Sequence, residues 1–168
     1  MYANASHTKF IAAVYYVMNL REQRRNRIIT FTQNLMQTFN TVETFKIQGE
    51  LINMEWKDYD DFEKKYGSEN NLDNYGKRMF FFYTFEVMGR LLKEGLVDSE
   101  TLFGVISFIV MTIWTKFLPT IAENRRRFTG RTGWEGFEYL YNEMVKTKQQ
   151  RDPEYVFPDT GTRYIPEK

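Results

Sequence analysis

The chain has no cysteine, which excludes disulfide frameworks, thiolate metal sites and cysteine nucleophiles. It has one histidine, His7, close to the first residue. A Ser-His-Asp triad, a two-histidine zinc site or an imidazole acid/base scheme would all have to pass through that single side chain. Proline is scarce: there are four, and three of them (Pro153, Pro158 and Pro166) fall at the C-terminal end. The body is thus nearly free of helix breakers, which predicts an all-α fold. Neither GxGxxG nor GxxxxGK[ST] occurs, so no phosphate loop is recognisable. An excess of one charge is also missing. Lys and Arg number 23 against 22 Asp and Glu, for a net charge of +1. A nucleic-acid-binding domain would show a basic footprint, so no DNA partner is expected. The acids gather in residues 55–69, which hold six of them against three lysines. No catalytic, cofactor-binding or metal-ligating set emerges, no cofactor is implied, and the expectation is a protein that is not an enzyme.

What is present, in 168 residues, is an apolar fraction of 42% rich in large rings: 15 Phe, 11 Tyr and 3 Trp, with 8 Met. That is room for one domain with a substantial core. Residues 1–7 are small and polar and read as frayed. From a cap at Thr8 a long first helix is predicted, uninterrupted by Gly or Pro up to Gly49. A turn at Asn40 and Thr41 opens a second helix over about 42–57, with Phe45, Leu51, Ile52 and Trp56 inward. Residues 55–69 read as an exposed acidic connection with a short helix ended by Gly67. A third main helix runs from about Leu72 to Glu94 and stops at Gly95. Asp98 or Ser99 caps a fourth, apolar on all sides up to Lys116, which should be the central helix of the bundle, with Pro119 kinking or restarting it. Trp134 opens a fifth. Gly89 and Gly104 read as close-packing points. The predicted architecture is a bundle of about five helices with a long N-terminal helix, a helical domain over 1–150 and an extended tail over 151–168.

Two features stand out as candidates for function. Residues 10–20 carry no charge, and REQRRNR follows directly. This pairing looks like a membrane contact with a cytoplasmic basic flank, with Phe10, Ile11, Val14, Tyr15, Val17 and Met18 as the contact residues. Eleven residues cover only about 16 Å as helix against a hydrocarbon core of about 30 Å. A short oligomerised or interfacial contact, a conventional single-pass anchor, and the first half of a soluble core helix therefore all remain open. The second feature is a pair of arginine clusters: Arg21, Arg24, Arg25 and Arg27, and Arg125, Arg126, Arg127 and Arg131. Guanidinium groups suit lipid phosphate, RNA or a pore lining, but also a solvated face or cross-subunit pairing with the acidic 55–69 stretch. Glu86 and Arg90, four apart on one helix face, form a candidate structural ion pair. Leu102 to Thr115 is uncharged, a length that favours a buried core helix over a span.

The string FEVMGRLLKEGLVDSETLFGVISFIVMTIWTKFLPTIAENRRR, followed by GWEGFEYLYNEM, resembles an uncharacterised family of small bacterial and archaeal helical proteins, a domain of unknown function. The matching positions are Gly89, Leu91, Leu92, Gly95, Leu96 and Asp98, then Trp114, Pro119, Arg125, Arg126, Arg127, Trp134, Phe137, Glu138 and Leu140, and the likeness covers roughly residues 20–146. It implies an N-terminal membrane helix followed by Arg-rich sequence. Size and layout are also similar to the small membrane-associated accessory proteins of type VI-B CRISPR systems. That likeness implies a homo-oligomeric pore at the inner membrane, on its cytoplasmic side, enhancing antiviral defence beside an RNA-guided nuclease complex. The nuclease-like pairing of an Arg with a His a few residues later is absent, because every Arg lies beyond residue 20 and the one His is His7. The expected function is thus a homo-oligomeric, membrane-associated accessory protein acting as a pore. Its rivals are a soluble, cytoplasmic interaction scaffold and a degenerate nuclease-like RNA-binding module built on Arg125, Arg126, Arg127 and Arg131.

Overall fold

The structure, a computed structural model, describes residues 2–156, except the side chains of residues 2–8 and of Arg131. The His7 and Arg131 side chains and the tail over 157–168 lie outside the described residues. Six α-helices are present and, among the described residues, no strand: α1 (Tyr2–Phe39), α2 (Val42–Ile52), α3 (Tyr59–Tyr66), α4 (Leu72–Lys93), α5 (Ser99–Asn124) and α6 (Glu135–Arg151). The all-α bundle with a long first helix is as the sequence predicted. The chain divides into two compact units, Met1–Thr38 and Phe39–Lys168.

The first unit is α1. It begins at Tyr2 rather than at Thr8. Ile28 and Phe31 are half-buried and Leu35 is buried, the graded face that their three-four spacing predicts.

In the second unit, α6 packs on both α4 and α5, and α2 and α3 close over α4 and α5. The helix boundaries follow local chemistry. The Thr41 hydroxyl accepts from the Thr44 N–H at 3.0 Å and starts α2; Asp98 accepts from the Thr101 N–H at 2.8 Å and starts α5. Gly95 adopts φ 69°, and the N–H groups of Gly95 and Leu96 bond back to the carbonyls of Leu92 and Leu91. This left-handed glycine closure ends α4 as its sequence signalled. The core is aromatic. Phe81, Phe85, Phe117 and Phe137 are fully buried, each contributing about 2–3 kcal/mol over an exposed ring. Phe137 is the node of this set, with ring centroids 5.0 Å from Phe85 and 4.9 Å from Trp114.

Gly89 of α4 faces Gly136 of α6. A Cβ on Gly89 would collide with the Gly136 carbonyl, and one on Gly136 with the Glu86 carbonyl, so the two backbones touch. Gly104 meets nothing within 4 Å and is not a packing point.

Several expectations are corrected. The helix α2 ends at Ile52, and it buries Thr44, Gln48 and Leu51 while Phe45 is exposed. The side chain four residues before Gln48 defines the inward row, and Phe45 sits one step round from it. Trp56 lies past the helix, stacked 5.6 Å from Phe117. The short helix expected in the acidic connection is present as α3 and ends at Gly67, but the connection is not exposed throughout, since α3 buries Tyr59 and Phe62. Gly67 ends that helix with φ −63°, not in the left-handed form. Pro119 does not restart α5, which runs through it to Asn124. Beyond its end the chain widens into a π-helical turn over Arg125–Thr129 and then tightens into a 3₁₀ turn over Gly130–Thr132. Finally, α5 is not buried on every side, because Phe108 and Leu118 face outward.

Candidate functional site: an exposed apolar helix with an arginine flank

In α1, residues 9–27 are exposed except for half-buried Asn19. Phe10, Ile11, Val14, Tyr15, Val17 and Met18 all belong to this stretch, with Tyr16 and Leu20 beside them, and Phe10 and Tyr15 keep two thirds of their surface open. At about 100° per residue Phe10, Ile11, Val14, Tyr15, Val17 and Met18 fall within an arc of about 160°, and Tyr16 and Leu20 stand opposite it, widening the apolar surface to about 260°. Arg21, Arg24, Arg25 and Arg27 follow within two turns, all exposed, and none is among the described ion pairs or side-chain hydrogen bonds. The same helix thus joins a broad exposed apolar face to four guanidinium groups outside the described ion pairs and side-chain hydrogen bonds.

The second arginine cluster is different. Arg126 donates Nε to Glu123 Oε2 at 2.8 Å and Nη2 to Oε1 at 2.5 Å, a two-pronged contact. Arg127 donates to the same Oε1 at 2.6 Å and reaches Asp60 of α3 at 2.5 Å, with its guanidinium over the Tyr59 ring. Arg125 bonds the Gly133 carbonyl at 2.7 Å and pairs with Glu138 of α6. The three cations therefore tie the π turn to α3, α5 and α6, and they are balanced by carboxylates of the same chain. Their pairing with the acidic 55–69 stretch occurs within one molecule, through Asp60.

Glu123 is buried, and its bonds to Arg126 first and Arg127 second hold its carboxyl at about 2, down from the ordinary 4.5. A carboxylate depressed in the folded state stabilises above the unfolded value and loses that contribution as pH falls toward the folded one. Stability should therefore drop between about pH 4.5 and pH 2. In the Glu123→Gln variant that part of the slope should disappear, as read from urea midpoints across the window; an unchanged slope would contradict the assignment.

Glu86 and Arg90 do form the predicted pair, with Arg90 Nε and Nη2 at 3.0 and 2.9 Å from Oε1. The sequence did not reveal the second bond of this carboxylate. Oε2 accepts the Phe137 N–H at 3.0 Å, in the first turn of α6. Trp134, at the cap position with φ 62°, offers no side-chain bond. Glu86 thus caps α6 from across the α4–α6 contact, an interaction of about 1 kcal/mol.

One helix, Ser99–Thr129, is long and apolar enough to cross a membrane by length and composition, with a mean hydropathy of 1.8. Nearly half of that window is buried within the fold. Its lysine, Lys116, donates to the Met54 carbonyl at 2.6 Å and lies over the Trp56 ring, so it is held by protein. Among the described residues no group of His, Asp and Glu is arranged to hold a metal ion.

No curated protein and no solved structure matches the chain. A family profile does match, over residues 6–144, and the chain belongs to that family, a domain of unknown function (DUF4760).

Proposed function

We propose that the protein is a membrane-associated helical protein whose α1 enters the bilayer, and that copies of the chain assemble through this helix. The observation that supports the reading is the exposure of the large apolar side chains of residues 10–20, on one broad face and with Tyr16 and Leu20 opposite it, next to Arg21, Arg24, Arg25 and Arg27. Eleven helical residues rise about 16 Å, close to one leaflet of a core about 30 Å thick. With residues 10–20 in the cytoplasmic leaflet, the four arginines stand at the headgroups. There each contributes about 1 kcal/mol on an anionic surface. From Tyr2 the whole stretch to Leu20 spans about 28 Å and holds one lysine, Lys9, and no Asp, Glu or Arg. The polar residues ahead of Phe10 need shielding in the outer leaflet, and neighbouring copies of the same helix supply it.

The action of such an assembly is physical rather than chemical: a ring of helices that thins or breaches the bilayer. A permeability effector in antiviral defence is the concrete form of that reading, with ion flux across vesicles as its readout. The paired state of Arg125, Arg126 and Arg127 favours the membrane reading over an RNA-binding one, because those cations already have carboxylate partners. Size-exclusion chromatography with light scattering, with and without mild detergent, tests the proposal. The expected result is a discrete oligomer that takes up detergent. A monomer of unchanged mass in both conditions would overturn it.

A further inference from the structure

A cavity of about 420 Å³ opens between α3, α4, α5 and the turns that precede α6. Its size falls in the range of small-molecule sites, roughly 300–1,000 Å³. Phe82, Tyr83 and Trp134 form an aromatic wall: the Trp134 ring stands edge-on to both of the others, at 5.3 and 5.1 Å. On this cavity lies Arg78 of α4, which is only 5% exposed. Its Nε donates to Asn74 Oδ1 at 3.1 Å and its Nη2 to the Tyr66 carbonyl, while its plane covers the Phe62 ring. Nη1 makes none of the described bonds, and no described carboxylate lies within ion-pair distance of the group. A guanidinium has five N–H groups, and these contacts occupy two. A buried cation without a counter-charge is costly to keep, at several kcal/mol for desolvation. Burial draws Arg78 down to about 10, with Glu63 acting weakly against it, so it remains charged at neutral pH.

We infer that this cavity binds a small aryl carboxylate, with the carboxylate on the free edge of the Arg78 guanidinium and the ring against Trp134 and Phe82. Two prealigned N–H groups suit a planar carboxylate. Arg90 also lines the cavity and is paired with Glu86, which leaves Arg78 and Glu63 as the charges of the lining outside the described ion pairs and suits a singly charged carboxylate better than a doubly charged phosphate. The aromatic wall sets the apolar body of the ligand. The inference is independent of the membrane reading, since it uses only residues of the second unit.

The test is titration of the full-length protein, labelled on its tryptophan indoles, with benzoate, phenylacetate and indole-3-acetate, each beside its neutral amide. The Trp134 indole resonance, assigned with Trp134→Phe, should move with a saturable curve for at least one carboxylate and at least tenfold more weakly for its amide. Arg78→Lys should weaken binding at least tenfold, because an ammonium cannot offer the paired edge. Asn124→Asp, which places a negative charge on the same lining without altering side-chain size, should weaken it comparably and serves if Arg78→Lys does not fold. Absence of binding by all three carboxylates at 10-fold or greater excess in the millimolar range (about 10 mM), equal binding of acid and amide, or unchanged affinity in a folded variant would each overturn the inference.

Discussion

Replacing Gly136 by alanine should lower the free energy of unfolding by about 3 kcal/mol or more, among the larger effects open to a single methyl group. The reason is geometric. The new Cβ would have to occupy space already held by the Glu86 carbonyl and crowd the Glu86 carboxyl, which caps α6 through the Phe137 N–H. Backbone cannot rotate aside as a side chain can, so α6 must move off α4. That shift opens the packing of Phe137 on Phe85 and breaks the cap together with it. Gly89→Ala should behave in the same way, through the Gly136 carbonyl. Gly104→Ala is the internal control. It also lies inside a helix, but nothing stands within 4 Å of its added Cβ. There the usual helix preference for alanine applies, and the substitution should stabilise by about 0.4–1 kcal/mol. Chemical denaturation of the three variants checks the set, and equal effects at Gly104 and Gly136 would refute the close helix contact.

The double substitution Val14→Asp with Val17→Asp should abolish partition into anionic vesicles. An aspartate near the centre of a membrane helix costs about 2.5–3.5 kcal/mol, so two of them amount to several orders of magnitude in partition. Both positions are exposed, so the second unit has no reason to unfold. Flotation with phosphatidylglycerol-containing vesicles reads the partition, and circular dichroism reads the helix content. Loss of flotation with retained helicity is the expected outcome. A variant that still floats like the parent would show that α1 is not the membrane element.

Much of this architecture was legible because it is local. Thr41, Asp98 and Gly95 announce helix ends through bonds to residues within four positions, and the structure bears all three out. The uncharged run of α1 ahead of four arginines was visible, but not that it is exposed rather than half of a core helix. What stayed hidden depends on residues distant in the chain. Phe45 is bulky and apolar, yet the row set by Thr44, Gln48 and Leu51 faces inward, and residue type alone favoured the wrong face. Glu86 could be paired with Arg90 by spacing, but its bond to Phe137 joins residues 51 apart. Glu123 stands three and four positions before Arg126 and Arg127, a spacing that could have marked that cluster as paired; Asp60 could not have been found without the fold. Arg78 reads in sequence as one more charge at the start of a helix. Only the packing of α3 over it makes it a buried cation beside a cavity.

The absence of native cysteine gives the most direct test of the membrane claim, because a single introduced thiol is a unique labelling site. Val17→Cys in α1 and Phe108→Cys on the open face of α5 would each carry a nitroxide on the full-length protein in anionic vesicles. Accessibility to oxygen against a water-soluble nickel complex gives the depth of each label. The account predicts that the label at residue 17 lies in hydrocarbon, shielded from nickel, and that the label at residue 108 stays open to water. A water-exposed label at residue 17 would contradict it, and a buried one at residue 108 would transfer the membrane contact to α5.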